Sequence, residues 1–403
     1  MNIVFISTYL PATYIGGAEI LTELVTGELA RRGHNVTIYT GGIESTTEAS
    51  GVRIQRFPIL QPKSLRTFLS PARSLAFQHL LQRDPYFIRA DIVHAVDIDT
   101  LSLLSHWKGI QHRLLATIQD YGMVCPAGDL LYGQKQCPNY CHKNQGFLCL
   151  NKRNVSPLEK SHLASVYYIR KHIRDKVLSR LQYTICVSRF VENELLRVAP
   201  HINSRVIGNC VSNAWFSSYK KKKDIDILYV GRLVWHKGVD ILFRALSEIV
   251  KKRRISVYFI GSGDHSGYTQ MLMNYGLQEC VTLMEAVPHD TILPYYHRAQ
   301  IVVAPSIWPE PCGRTIIEGM ATGCAVVATH TGGTPESIQD GITGILVPPG
   351  NYALLSRAIE KLLLHPGTLR RVGYNARLYA KKHFLTQTIV KQYEQYYRLI
   401  LSR

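Results

Sequence analysis

One stretch constrains this chain more than any other: residues 302–323, VVAPSIWPEPCGRTIIEGMATG. It reads as a buried strand, a proline-rich turn and a helix that opens at Gly313. Two carboxylates, Glu310 and Glu318, stand eight positions apart, one in the turn and one within the helix. A helix N-terminus presents unpaired N–H groups and the positive end of the helix dipole, so Gly313, Arg314 and Thr315 offer an anion site between those carboxylates. Carboxylates for sugar hydroxyls around amides for phosphate are what a nucleotide-sugar pocket needs. The plain alternative is a helix that merely follows a loop glutamate.

At 403 residues the chain is too long for one ordinary core, and two domains of roughly 200 residues are expected. A hydrophobic share of 46% with 19% charged residues is that of a globular chain rather than a disordered one. No run approaches the ~18 apolar residues of a membrane span. The N-terminus, Met1-Asn2-Ile3-Val4-Phe5-Ile6, enters a strand at once, without the basic region and cleavage site of a signal peptide, so a cytoplasmic location is expected. Nine cysteines, an odd number, do not resemble a secreted disulfide framework. A net charge of +18 is compatible with nucleic acid, an anionic membrane surface or anionic small substrates, and does not choose among them.

The pattern along the chain is βαβ. An apolar run at 3–8 precedes Gly16-Gly17, after which Ile20, Leu21, Leu24, Val25 and Leu29 recur at helical spacing until Gly33. A glycine pair at a helix start lets backbone approach a ligand, and the absence of G-x-G-x-x-G argues against a dinucleotide oxidoreductase. Strands follow at 36–39, 91–95, 114–118 and 183–188, with helical patterns between, which implies a parallel sheet with right-handed crossovers. Polar residues just past the strands are then the ones to weigh. Asp97-Ile98-Asp99 and Asp224-Ile225-Asp226 superficially match a metal-binding Asp-x-Asp, but Asp99 is expected to cap a helix and the second copy to lead into a strand. Residues 201–224, ending in four lysines, read as an irregular connector with a solvated charge run. The strand at 225–230 then ends in Gly231-Arg232, with Lys237-Gly238 five positions on, placing two cations before a helix. Strands are expected again at 257–260, 281–284, 325–329 and 344–348, and a helix led by Phe384 closes the chain.

These motifs resemble the GT4 family of retaining glycosyltransferases over nearly the whole chain, most specifically at residues 228–240 and 302–336. The resemblance implies a GT-B fold, α/β, with two facing Rossmann-like domains and the active site in the interdomain cleft. The domains would be 1–205 on the acceptor side, 206–380 for the nucleotide sugar, and a helix, 381–403, crossing back to the first domain. It implies transfer of a hexose from a nucleotide diphosphate to a hydroxyl of a glycan or lipid-linked acceptor. In that scheme Arg232, Lys237 and the amides at Gly313–Thr315 stabilise the departing phosphate, because arginine and lysine there meet charge that grows in the transition state. Glu310 would hold donor-sugar hydroxyls and Glu318 the ribose, with Gly16, Gly17, Cys312 and Arg314 completing the donor site. Cationic side chains would make a catalytic metal and any other cofactor unnecessary.

Two positions depart from the family. Gln119, followed by Asp120, stands where many relatives carry His near the donor sugar, and Gln cannot exchange a proton near neutral pH. Altered donor choice, reduced activity, or a role that tolerates Gln all fit. Glu285 stands where relatives usually have Gly beside the base. Cys125, Cys137, Cys141 and Cys149 resemble a cysteine-rich insert of some GT4 proteins; four thiolates could hold a structural zinc, or simply stiffen a loop. Residues 61–83 mix Lys63, Arg66, Arg73 and Arg83 with Leu and Phe, as a basic helix on an anionic membrane does, and as a surface helix packed on a core also does. The rivals are a nucleotide-sugar epimerase, a sugar-nucleotide-binding scaffold without turnover, and a nucleic-acid-binding protein; the dispersed basic residues and missing aromatic ladder disfavour the last.

Overall fold

Apolar runs such as Ile3–Ile6 and Ile227–Tyr229 vanish almost wholly from solvent, as strands covered by helices on both faces must. In the computed structural model, which describes residues 1–10, 16–60, 71–104, 107–132, 135–137, 156–217 and 223–403, they build two units. The first comprises Met1–Gly208 with Thr386–Arg403; the second is Asn209–Leu385.

The first unit holds β1 (Asn2–Ser7), β2 (Asn35–Gly41), β3 (Ser45–Ala49), β4 (Val52–Phe57), β5 (Ile92–Ala95), β6 (Leu114–Ile118), a small ladder of β7 (Leu131–Tyr132) with β8 (Lys135–Gln136), β9 (Tyr183–Cys186) and β10 (Asn203–Val206). Its main sheet runs β10-β9-β6-β5-β1-β2-β4-β3. All neighbours are parallel except the edge strand β3, which pairs antiparallel with β4 across Ser50 and Gly51, both at positive φ. The order reverses between β1 and β5, the switch point at which ligands of open α/β sheets collect.

Four sequence expectations need correction. The first sheet is not wholly parallel, because the Ser-Gly turn folds β3 back as a short, fully exposed edge. Part of the supposed connector at 201–224 is β10, which pairs with β9 despite its polar sequence. Within the lysine run, Lys223 is not simply solvated, since its Nζ donates to the Gly323 carbonyl. Phe384 does not lead the last helix; it caps the helix Pro366–His383, and a new helix starts at Thr386.

That helix, Thr386–Leu401, is part of the first unit's core. Ile389, Val390, Tyr393, Tyr397 and Ile400 are buried. Glu394 accepts two hydrogen bonds from Arg32 at 2.9 and 2.8 Å and lies 2.7 Å from His34 Nε2; Arg32 above all holds its carboxyl below the usual range. His94 of β5, fully enclosed, sits 2.8 Å from the Tyr397 hydroxyl and 2.6 Å from the Thr117 hydroxyl, and burial pushes its pKa down to about 3.

The second unit is a six-stranded parallel sheet: β11 (Ile225–Val230), β12 (Val257–Ile260), β13 (Val281–Met284), β14 (Ala299–Ala304), β15 (Ala325–Thr329) and β16 (Ile345–Val347), in the order β13-β12-β11-β14-β15-β16. Here the order reverses between β11 and β14. The loops that leave these two strands are the Arg232–Lys237 loop and the Glu310–Gly313 turn.

Among the described residues no helix is long and apolar enough to cross a membrane. The helix Pro71–Leu81 buries Phe77 and Leu81 and exposes Leu75 and Leu80; Lys63 and Arg66 lie outside the described residues.

Candidate active site

After β11 the chain makes one 3-10 turn, Trp235–Lys237, and stops it with Gly238 at φ +73°. A Cβ on Gly238 would overlap the Pro305 backbone, so only glycine lets the two switch-point loops touch there. They are then stitched together: Ile307 N and Trp308 N both donate to the His236 carbonyl at 3.0 Å, and Ser306 Oγ donates to it at 3.2 Å. The result is that Lys237 Nζ lies 2.6 Å from Glu310 Oε1 and 4.5 Å from the centre of the Trp308 ring. Glu310 is pinned from the other side, where Gly333 N donates to its carbonyl at 2.7 Å. Gly332, at φ +57°, lies so close that a Cβ would meet Glu310 N at 2.6 Å and its carbonyl oxygen nearer still.

Gly313 takes the N-cap position of the helix Arg314–Ala321, whose first turn leaves its N–H groups at this end. Just before it, the Cys312 carbonyl accepts from Asn209 Nδ2 at 3.1 Å, and burial pushes the Cys312 thiol up to about 11. Glu318, 2% exposed, is the centre of a polar cluster. Its Oε1 is 2.8 Å from His289 Nε2 and accepts from Arg314 Nη1 at 3.5 Å, while the Tyr296 hydroxyl donates to Oε2 at 2.9 Å. His289 and Tyr296 lie seven apart on the helix His289–Arg298, hence on one face, and Trp215 covers both rings at 5.3 and 5.1 Å. Arg314 keeps Nε and Nη2 buried without a hydrogen-bond partner among the described residues. Such donors are costly to leave unpaired. The Arg232 side chain is exposed, and its carbonyl accepts from the Tyr229 hydroxyl at 2.8 Å. Glu285 is also exposed, 3.3 Å from His265.

The second unit therefore gathers Arg232, Lys237, Glu310, Cys312, Gly313, Arg314, Thr315 and Glu318 around one switch point. Sequence reasoning missed Trp308, His289, Tyr296, Trp215 and Asn209. The seven-residue spacing of His289 and Tyr296 was a readable signal; Trp215 and Asn209 carried none, because their roles depend on chain folding back from far away.

In the first unit Gly16 is the extended N-cap of the helix Gly17–Arg31, and Gln119 and Asp120 follow β6, with Asp120 Oδ1 accepting from Gly122 N at 2.8 Å. The N-cap assigned to Asp99 belongs to Asp97. Asp97 Oδ1 accepts from Thr100 N and Oδ2 from Thr8 N, joining the ends of β1 and β5, whereas Asp99 sits in the first turn of the helix Ile98–Leu104. Burial, then the charge of Asp97, pushes Asp99 up to about 6; Glu19 is raised by burial and by Asp97 and Asp120. Carboxylates are thus concentrated at this unit's switch point.

Cys125 and Cys137 are buried, while Cys141 and Cys149 lie outside the described residues. Among the described residues no group of three or more His, Cys, Asp or Glu side chains is disposed to hold a metal ion.

Comparison with known proteins agrees with this architecture. An uncharacterised glycosyltransferase of Methanocaldococcus jannaschii is 23% identical over 423 aligned positions, covering all of this chain and 99% of the relative. Sucrose-phosphate synthase from Thermosynechococcus elongatus superposes with a TM-score of 0.78 at 22% identity, over 99% of both chains. HepE of Anabaena, solved in complex with UDP-glucose, superposes with a TM-score of 0.69 at 18% identity, over 98% of both chains. The fold is thus that of the GT-B glycosyltransferases, two Rossmann-like α/β domains. The family described as Glycosyltransferase Family 4 matches residues 15–214, and that described as Glycosyl transferases group 1 matches residues 212–379. With these two matches running end to end across all but the termini, the chain belongs to the group 1/family 4 glycosyltransferases.

Proposed function

We propose that the chain transfers a hexose, with retention, from a nucleotide-diphosphate sugar to a hydroxyl of a glycan or lipid-linked acceptor. The observation that carries this reading is the switch point of the second sheet, where Lys237, Glu310, a helix N-terminus and the buried Glu318 meet. Arg232, Lys237 and the amides at Gly313–Thr315 hold the diphosphate, and Arg314 turns its two unpartnered donors to the same ligand. Lys237, paired with Glu310 in the absence of donor, exchanges that partner for phosphate and frees Glu310 for sugar hydroxyls. Glu318, oriented by His289 and Tyr296, takes the ribose hydroxyls. Gly16, Gly17, Gln119 and Asp120 belong to the same proposal as contacts to the donor sugar. Charge on the leaving phosphate is neutralised by these cations without a metal, and the phosphate oxygen accepts the proton of the attacking hydroxyl. The product is a glycoconjugate or surface polysaccharide, made at or near a membrane on its cytoplasmic side.

A thermal-shift series with UDP-, GDP-, ADP- and TDP-sugars tests this, with a uridine nucleotide first because HepE was solved with UDP-glucose. At 100 times its dissociation constant the true donor stabilises the native state by about 2.7 kcal/mol. Arg232→Ala and Glu318→Ala should each abolish most of that shift while leaving the unliganded chain folded. A wild-type shift that survives Glu318→Ala removes the ribose assignment. Gln119 favours one alternative, a sugar-nucleotide-binding scaffold, which would show the shift but no turnover with any acceptor.

A further inference from the structure

The helix Pro366–His383 has an unusual outer face. Inwardly it packs through Val372, Gly373, Ala376 and Ala380, with Gly373 so close to Gly323 that no side chain would fit. Arg377 also turns inward, donating to the carbonyls of Ala321, at 2.7 Å, and Phe216. Arg370, Arg371, Tyr374, Leu378, Lys381 and Lys382 remain outside, at spacings of three and four that set them in one stripe about 18 Å long. Tyr374 is 63% exposed and Leu378 51%. The stripe broadens at Ile342, 53% exposed, whose carbonyl accepts from Asn375 Nδ2. The helix contains no carboxylate, and among the described residues none of the four outer cations is in an ion pair.

Ordinary helix physics explains only part of this. Lys381 and Lys382 sit in the last turn, where cations relieve the helix dipole, but Arg370 and Arg371 gain nothing there. Neither contributes to the packing that Tyr374 and Leu378 forgo. We propose that this stripe is a docking face for an anionic lipid surface, with Tyr374, Leu378 and Ile342 entering the headgroup layer and the four cations meeting lipid phosphates. Large apolar side chains flanked by unpaired cations suit such a layer, since apolar burial and headgroup charge act together. A second copy of the chain suits it poorly, because symmetric pairing of this helix would set arginine and lysine against their own kind. The proposal does not depend on the donor assignment, and the donor site contains none of these residues.

The test is flotation of the full chain with vesicles of phosphatidylcholine alone and with about 30% phosphatidylglycerol, near 0.1 M salt and at severalfold higher salt. Binding is expected only to the anionic vesicles, and weaker at high salt. Replacing all four cations by Gln should weaken it by several hundredfold, at about fivefold for each charge. Tyr374→Ser with Leu378→Ser should weaken it about tenfold or more while leaving the salt dependence in place. All six side chains are exposed, so both variants should keep the wild-type Tm; if the charge variant does not, the apolar pair alone carries the test. The proposal fails if the wild type floats with neither vesicle or equally with both. It also fails if both variants float like the wild type, or if the charge variant loses affinity for a short DNA instead of for vesicles.

Discussion

Single residues decide how well this site is held. Gly332 shows it most directly: its left-handed backbone and the adjacent Glu310 peptide leave no room for a Cβ. Gly332→Ala should cost roughly 1–3 kcal/mol of stability and weaken donor binding together, because the strain is relieved only by moving Glu310. A lower Tm with unchanged donor affinity would show that Glu310 is not held from this side. His94 sets a different dependence. Its pKa falls from 6.5 unfolded to about 3 folded, so the unfolded chain binds one more proton between those values. Its contribution to stability is therefore complete above pH 6.5 and declines by about 1.4 kcal/mol per pH unit as pH falls. Urea unfolding of the wild type and His94→Gln across this range should show the slope in the former and a shallower one in the latter. Glu310, Glu318, Arg232 and Lys237 were legible in the sequence because strand-turn-helix punctuation surrounds each. His94, an isolated histidine in an apolar run, carried no such signal; its partner Tyr397 is more than 300 positions away.

Among elements, the loops after β11 and β14 matter most, since their mutual stitching brings Lys237 to Glu310. The parallel strands were readable because each is a short apolar run bounded by turn residues. β3 and β10 were not, because edge strands bury little: every residue of β3 is exposed, and none of β10 is buried. Their pairing comes from the neighbouring strand rather than from their own composition. The last helix is fastened by side chains that a local pattern cannot pair, chiefly Glu394 with Arg32 and His34. Glu394→Gln should lower stability by about 1–3 kcal/mol, seen as a reduced urea midpoint, because it takes the close carboxylate from Arg32, whose other one, Glu28, stands 3.9 Å away. An unchanged midpoint would make that cluster a surface ornament rather than a fastening.

At the scale of the molecule, the second unit is one continuous piece, Asn209–Leu385, whereas the first is completed by Thr386–Arg403. Calorimetry should therefore resolve two transitions, with the donor nucleotide raising the one that belongs to the second unit. Stopping the chain after Leu385 should depress the other alone, since it strips Tyr393, Tyr397 and Ile400 from the first core. A single transition shifted as a whole would mean that the units unfold as one. The arrangement also has a consequence for biosynthesis. A ribosome releases the first 208 residues, then must add another 177 before the helix that covers His94 begins to emerge. At 5–20 residues per second that is roughly 9–35 s during which the first sheet carries an open apolar face while the second unit is still being synthesised. Nascent chains of this protein should for that interval be clients of ribosome-bound chaperones, and the second unit, whose last residue is made before Thr386, can close before the first.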